Sequence, residues 1–186
     1  MWYKWLKNGI KGKCFTFIKN MYDGVKSMVS INGHSSEFFN CNVGVRQGEN
    51  LSPLLFSLYI NDLEEFLLSK NVQGLNINSS LSNTDENQRL LYLKLFILFY
   101  ADDTVIISES AEGLQHALNE FHSYCIQWKL HVNVDKTKIM IFAKGRPLNK
   151  TFYFDNKVIE VVKEFKYLGI IFSRSGSFNR ANKTFM

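Results

Sequence analysis

Cysteine is scarce in this 186-residue chain: Cys14, Cys41 and Cys125 are odd in number and far apart, and no CxxC pair occurs. Such spacing points to neither a disulfide framework nor a zinc site, and a reducing, intracellular setting fits best. Long hydrophobic runs are missing too. The longest, from Leu90 to Ala101, is interrupted by Lys94 and is too short to cross a bilayer, and the opening stretch MWYKWLKNGIKGK has no apolar signal-peptide core. Neither secretion nor membrane insertion is expected. Internal repeats and low-complexity tracts are also lacking. What the chain does have is 46% apolar and 15% aromatic residues, enough for a sizeable core in one or at most two domains.

The net charge of +5 is unevenly spread. Residues 1–50 carry 7 basic and 3 acidic side chains, residues 51–128 carry 3 and 10, and residues 129–186 carry 12 and 4. A basic first and last third around an acidic middle can grip a polyanion while carboxylates hold metal. On charge alone, a solvated lysine surface is the commoner cause of such counts.

Periodicity sets out the elements. CFTFIKNMY, from Cys14 to Tyr22, has apolar residues at helical spacing, with Gly24 as a stop. Two alternating segments then flank Asn32-Gly33, whose residues both accept positive φ, which predicts a β-hairpin ending at Gly44. Ser52 is expected to cap a helix that begins at Pro53 and runs to about Ser69. The polar stretch from Asn78 to Gln88 reads as a mobile surface loop between two strands. Leu91–Tyr100 and Thr104–Ser108 are expected strands, and Ser110 is the cap of a long helix whose Leu114, Leu118, Phe121, Cys125 and Trp128 face the core. KIMIF, TFYF, KVIEVV and YLGIIFS close the chain as short strands, the middle two joined by a turn at Asp155-Asn156. The predicted class is α+β, with helices packed on one face of an antiparallel sheet.

The stretch FILFYADDTVIIS, at 96–108, sets two adjacent aspartates between near-continuous apolar runs. Aspartate pairs are common in exposed turns, and that remains one reading. Apolar flanks, however, predict strands buried on both faces and a rigid turn. Carboxylates held there need cations, since an unpartnered buried charge is very costly. Hard divalent ions such as Mg²⁺ prefer carboxylate oxygen, and a pair of them serves phosphoryl transfer.

FYADD at 99–103, preceded by GVRQGENLSPLLFSLYINDL at 44–63 and followed by NVDKTKIMIF and FKYLGIIFS, resembles the reverse transcriptase domain of non-LTR (LINE-type) retrotransposons over nearly the whole chain. The resemblance implies a partial right-hand polymerase palm that extends DNA from a primer 3′-hydroxyl on an RNA template, using dNTPs and two Mg²⁺ ions. Residues 1–43 would form the connection from fingers to palm, 44–173 the palm motifs and 174–186 a truncated tail. Asp102 then matches the carboxylate that binds the catalytic metals, and Asp103 its partner. Tyr100 and Ala101 would line the same turn, though each could equally be packing.

In the RQG stretch, Gln47 and Gly48 match the family position beside the incoming nucleotide and template base, and Arg46 can contact phosphate or template. A plain connection into a helix is the alternative. Lys136 resembles the lysine that protonates leaving pyrophosphate, with a plain solvated lysine as the alternative. Tyr167, Leu168 and Gly169 resemble the primer-gripping hairpin, with an edge strand as the alternative. By family, the compartment is nucleus or cytoplasm. The family's first palm motif, a strand bearing another metal-binding aspartate, has no match here: Asp23, the only aspartate before RQG, sits between a helix and a hairpin. The expectation is therefore a piece of a polymerase, inactive alone, or else a non-catalytic remnant that folds and binds nucleic acid.

Overall fold

The computed structural model describes residues 1–41, 44–46, 48–79, 91–95, 97–100, 103–143 and 149–176, with backbone alone at 76–79, 91–95 and 98–100. Two compact units arise: Met1–Glu64 with Phe99–Thr104, and Glu65–Leu98 with Val105–Met186. Helices and short, mostly antiparallel strands make an α+β chain.

The first unit begins with helices α1 (Trp2–Lys7) and α2 (Gly12–Tyr22). Its chain then turns back through β1 (Lys26–Ser27), β2 (Ser30–Ile31), β3 (His34–Ser35) and β4 (Phe39–Asn40). β2 pairs with β3 and β1 with β4, around a turn in which Asn32 and Gly33 have φ of 51° and 80°. Both central residues are left-handed, as the twist of a two-residue hairpin demands. Trp5, Ile18 and Leu55 form the buried centre, the last from α3 (Ser52–Ile60).

The expected helix to Ser69 is in fact two, because α4 (Leu63–Ser69) starts anew after Asn61-Asp62. Lys4 supplies the physical reason. Its ammonium, on a residue only 2% exposed, donates to the Tyr59 carbonyl at 2.7 Å and to Asp62 Oδ1 at 2.6 Å. A continuing helix would have offered that same carbonyl to the N–H of Leu63.

The second unit contains β5 (Leu75–Ser79) and β6 (Leu91–Leu95), paired antiparallel. The loop expected to be mobile falls almost wholly at 80–90, outside the described residues. The expected strand to Tyr100 is occupied by β6 and β7 (Ile97–Tyr100) on either side of Phe96, which lies outside the described residues, and β7 pairs with β8 (Asp103–Ile106). α5 (Ala111–Trp128) follows, and the Ser110 hydroxyl accepts from the Gly113 N–H at 3.0 Å, as its cap position predicts. The helix ends at Lys129, whose φ of 54° lets the Leu130 N–H reach the Cys125 carbonyl at 2.8 Å.

β9 (Lys138–Met140), β10 (Phe152–Phe154) and β11 (Lys157–Val162) form a three-stranded sheet in the order β10-β11-β9. Phe152, Phe154, Ile159 and Ile139 meet Leu118 and Cys125 of α5, so the helix covers one face of this sheet, while Tyr153 and Val158 stay exposed. The Gln115 amide completes the join, accepting from the Tyr153 N–H at 2.9 Å and donating to its carbonyl at 2.8 Å. Those groups lie on the outer edge of β10, which no strand pairs among the described residues. The expected single antiparallel sheet is not what forms among the described residues: β11 runs parallel to β9, and the remaining strands make separate pairs. β12 (Glu164–Tyr167) and β13 (Ile170–Ser173) are one such pair.

Candidate active site

The β7–β8 connection is too short for anything but an antiparallel hairpin. It brings the backbone of Tyr100, last in β7, to the same end as Asp103, first in β8. Asp103 is exposed. Ala101 and Asp102 lie outside the described residues, as does Gln47. The segment Phe99–Thr104 nevertheless groups with Arg46 and Gly48 in the first compact unit.

The loop carrying Arg46 and Gly48 is built from its neighbours. Gly44 and Gly48 take φ of 89° and 83°, a region costly to any residue with a Cβ. Arg46 donates through Nη2 to the Met21 carbonyl at 2.5 Å, stands 3.8 Å from Glu49 Oε1, and lies over the Tyr22 ring at 5.5 Å. The Tyr22 hydroxyl donates to Glu49 Oε2 at 2.6 Å and meets Ser52 Oγ at 3.2 Å. Burial, then the hydrogen bond to Glu49, holds the Tyr22 hydroxyl above its ordinary pKa. Ser52, expected as the helix cap, instead donates to the Arg46 carbonyl at 2.5 Å, and Leu51 takes the cap position with no side-chain bond. Glu49 and Ser52 stand in the sequence beside RQG. Nothing local marks Tyr22 as their partner, because 27 residues separate it from Glu49.

Lys136 and the Tyr167–Gly169 turn belong to the second unit. Lys136 is exposed, its N–H bonded to the Asn133 carbonyl at 3.2 Å and to Asn133 Oδ1 at 3.1 Å. Leu168 and Gly169, at φ of 49° and 84°, form the tight tip between β12 and β13, so this stretch is a hairpin and not a continuous strand. Among the described residues, no group of three or more His, Cys, Asp or Glu side chains is placed to hold a metal ion. Asp103 offers the hard oxygen that Mg²⁺ prefers, so the donor chemistry fits while the described set is incomplete.

A model of the reverse transcriptase (RNA-dependent DNA polymerase) family matches residues 3–172. The chain belongs to that family. It is 31% identical over 170 residues to the retrovirus-related Pol polyprotein from type-2 retrotransposable element R2DM of Drosophila melanogaster, covering 86% of this chain and 15% of that protein. To the RNA-directed DNA polymerase from mobile element jockey of Drosophila funebris it is 24% identical over 180 residues, covering 94% of this chain and 18% of the relative. A telomerase reverse transcriptase of Oryza sativa subsp. japonica is 28% identical over 116 residues, 62% of this chain and 8% of that protein. The first two come from a retrotransposable and a mobile element, the type that the motifs resemble, and this reverse transcriptase domain spans less than a fifth of the length of all three. Among its described residues, no helix is long and apolar enough to cross a membrane.

Proposed function

We propose that this domain is the palm-bearing part of an RNA-directed DNA polymerase, extending a DNA primer on an RNA template. The observation that carries the reading is the family match over residues 3–172, joined to a hairpin that sets Asp103 in one compact unit with the RQG loop. Asp102 and Asp103 would hold two Mg²⁺ ions, together with a carboxylate that the described residues do not supply. Bound there, the ions would activate the primer hydroxyl and neutralise charge developing on the phosphates. Gln47 and Gly48 orient the incoming dNTP against the template base, glycine by close backbone approach and glutamine by donating and accepting. Tyr100 and Ala101 line the turn at the primer end, Lys136 gives a proton to the leaving pyrophosphate, and Tyr167 to Gly169 grip the primer.

Asp23 ends α2 in extended backbone and lies on no strand, which supports keeping it out of the metal set. The 186-residue chain alone should therefore be inactive, since in-line placement of hydroxyl and α-phosphate supplies much of the rate. The test is deoxynucleotide incorporation with Mg²⁺ by three proteins: the chain, the chain joined to an upstream aspartate-bearing palm strand, and the joined protein with Asp102→Asn. Synthesis is expected from the second protein only. Equal synthesis with and without Asp102 overturns the metal assignment, and none from the second protein favours a non-catalytic nucleic-acid binder.

A further inference from the structure

Arg46 is anchored by protein at both its main chain and its side chain. Ser52 holds its carbonyl, while Met21, Glu49 and the Tyr22 ring engage its guanidinium. Glu49, on the far side of Gly48, is tied by the same Tyr22 hydroxyl. The two residues between these anchors, Gln47 and Gly48, are the ones assigned above to the incoming nucleotide. Tyr22 is itself fixed, packed against the Trp5, Ile18 and Leu55 core at the end of α2. The brace therefore runs from the buried centre of the first unit to Arg46 and Glu49, on either side of Gly48 in the sequence.

We propose that Tyr22, Glu49 and the Arg46 guanidinium are positioning residues that preset the Gly48 backbone, which takes φ of 83° between them, for the incoming deoxynucleotide. The proposal rests on the polymerase reading above. Its physical content is pre-organisation: a segment clamped at both ends loses less freedom when a ligand binds, and the saving appears as affinity. Arg46 thus directs its charge at Glu49 and Tyr22, and its contribution to substrate binding comes through the shape of the loop.

Two measurements test this. In the full 186-residue chain, trypsin cleavage after Arg46 is followed by mass spectrometry in wild type, Tyr22→Phe, Glu49→Gln and the double variant, with cleavage after the exposed Lys163 as control. Loss of a hydrogen bond to a charged group should speed cleavage after Arg46 by about tenfold in each single variant. The double variant should fall short of the sum of the two, because both changes weaken the one Tyr22–Glu49 bond. In a primer-extending polymerase that carries this chain, either single variant should raise KM for dNTP by about tenfold. Its kcat and template–primer affinity should stay near wild type, a split that general loosening does not produce. Wild-type cleavage after Arg46 in both variants overturns the brace. Faster cleavage with unchanged dNTP KM overturns the positioning role. If the extended wild type makes no DNA, the polymerase reading falls with the nucleotide role, and the cleavage rates still decide the brace.

Discussion

The start of α5 offers a sharp test of how the chain leaves the β7–β8 hairpin. Gly113 occupies the third helical position, and a Cβ there would sit 2.6 Å from Ser108 Oγ and 2.9 Å from Ser110 Oγ. Alanine ordinarily stabilises a helical glycine site by about 0.5–1 kcal/mol. Here it must push aside the hydroxyl that caps the helix, and losing such a cap costs about 1 kcal/mol. Gly113→Ala alone should therefore be close to neutral. In a Ser108→Ala, Ser110→Ala background both oxygens are gone, the remaining Ser108 Cβ lies at an ordinary 3.9 Å, and the same change should stabilise by about 0.5–1 kcal/mol. The coupling between the two backgrounds is then about 1 kcal/mol. Urea unfolding followed by Trp128 fluorescence reads the second unit, since the other tryptophans, Trp2 and Trp5, lie in the first. Additivity within about 0.3 kcal/mol would refute the argument, because it would mean that the cap and the added methyl do not compete.

Other consequences are as direct. Cys125 is buried and its thiol is pushed from 9.0 up to about 11 by desolvation, while Cys14 is exposed, so iodoacetamide at pH 8 should label Cys14 and spare Cys125 until the chain unfolds. Because the raised value belongs to the folded state, the contribution of Cys125 is complete below pH 9 and is lost as pH rises toward 11; the stability difference between wild type and Cys125→Ala should shrink across that window, and a constant difference would contradict it. Lys4→Met should cost the first unit about 1.5–3 kcal/mol by thermal unfolding, since it removes two hydrogen bonds from a nearly buried ammonium. Asp62→Asn should cost less, as the bond to the Tyr59 carbonyl survives. If the basic first and last thirds grip RNA or an RNA–DNA hybrid through phosphates, affinity should fall steeply as salt rises; binding with no salt slope would leave the lysines as surface.

Much of the chain was legible without coordinates wherever the cause is local. Asn32-Gly33 makes its hairpin because those two residues accept positive φ, Ser110 caps α5 because its hydroxyl is three residues from a bare N–H, and Asp155-Asn156 turns between β10 and β11. The family was legible too, since RQG, YADD and the later motifs keep their order along the chain. Tertiary structure decided the rest. Lys4 reads as a solvated lysine, yet it is buried against Tyr59 and Asp62, and the helix expected to reach Ser69 is interrupted there. Ser52 reads as a cap, yet Arg46 and Tyr22 engage it first. β11 accepts β9 as a parallel neighbour, which no alternation of apolar residues could foretell, because strand direction depends on the path of the intervening chain. Periodicity and turn chemistry specify which face of an element is apolar and where it stops. Which distant side chain supplies a hydrogen-bond partner is settled only when burial makes leaving that group unpaired too costly.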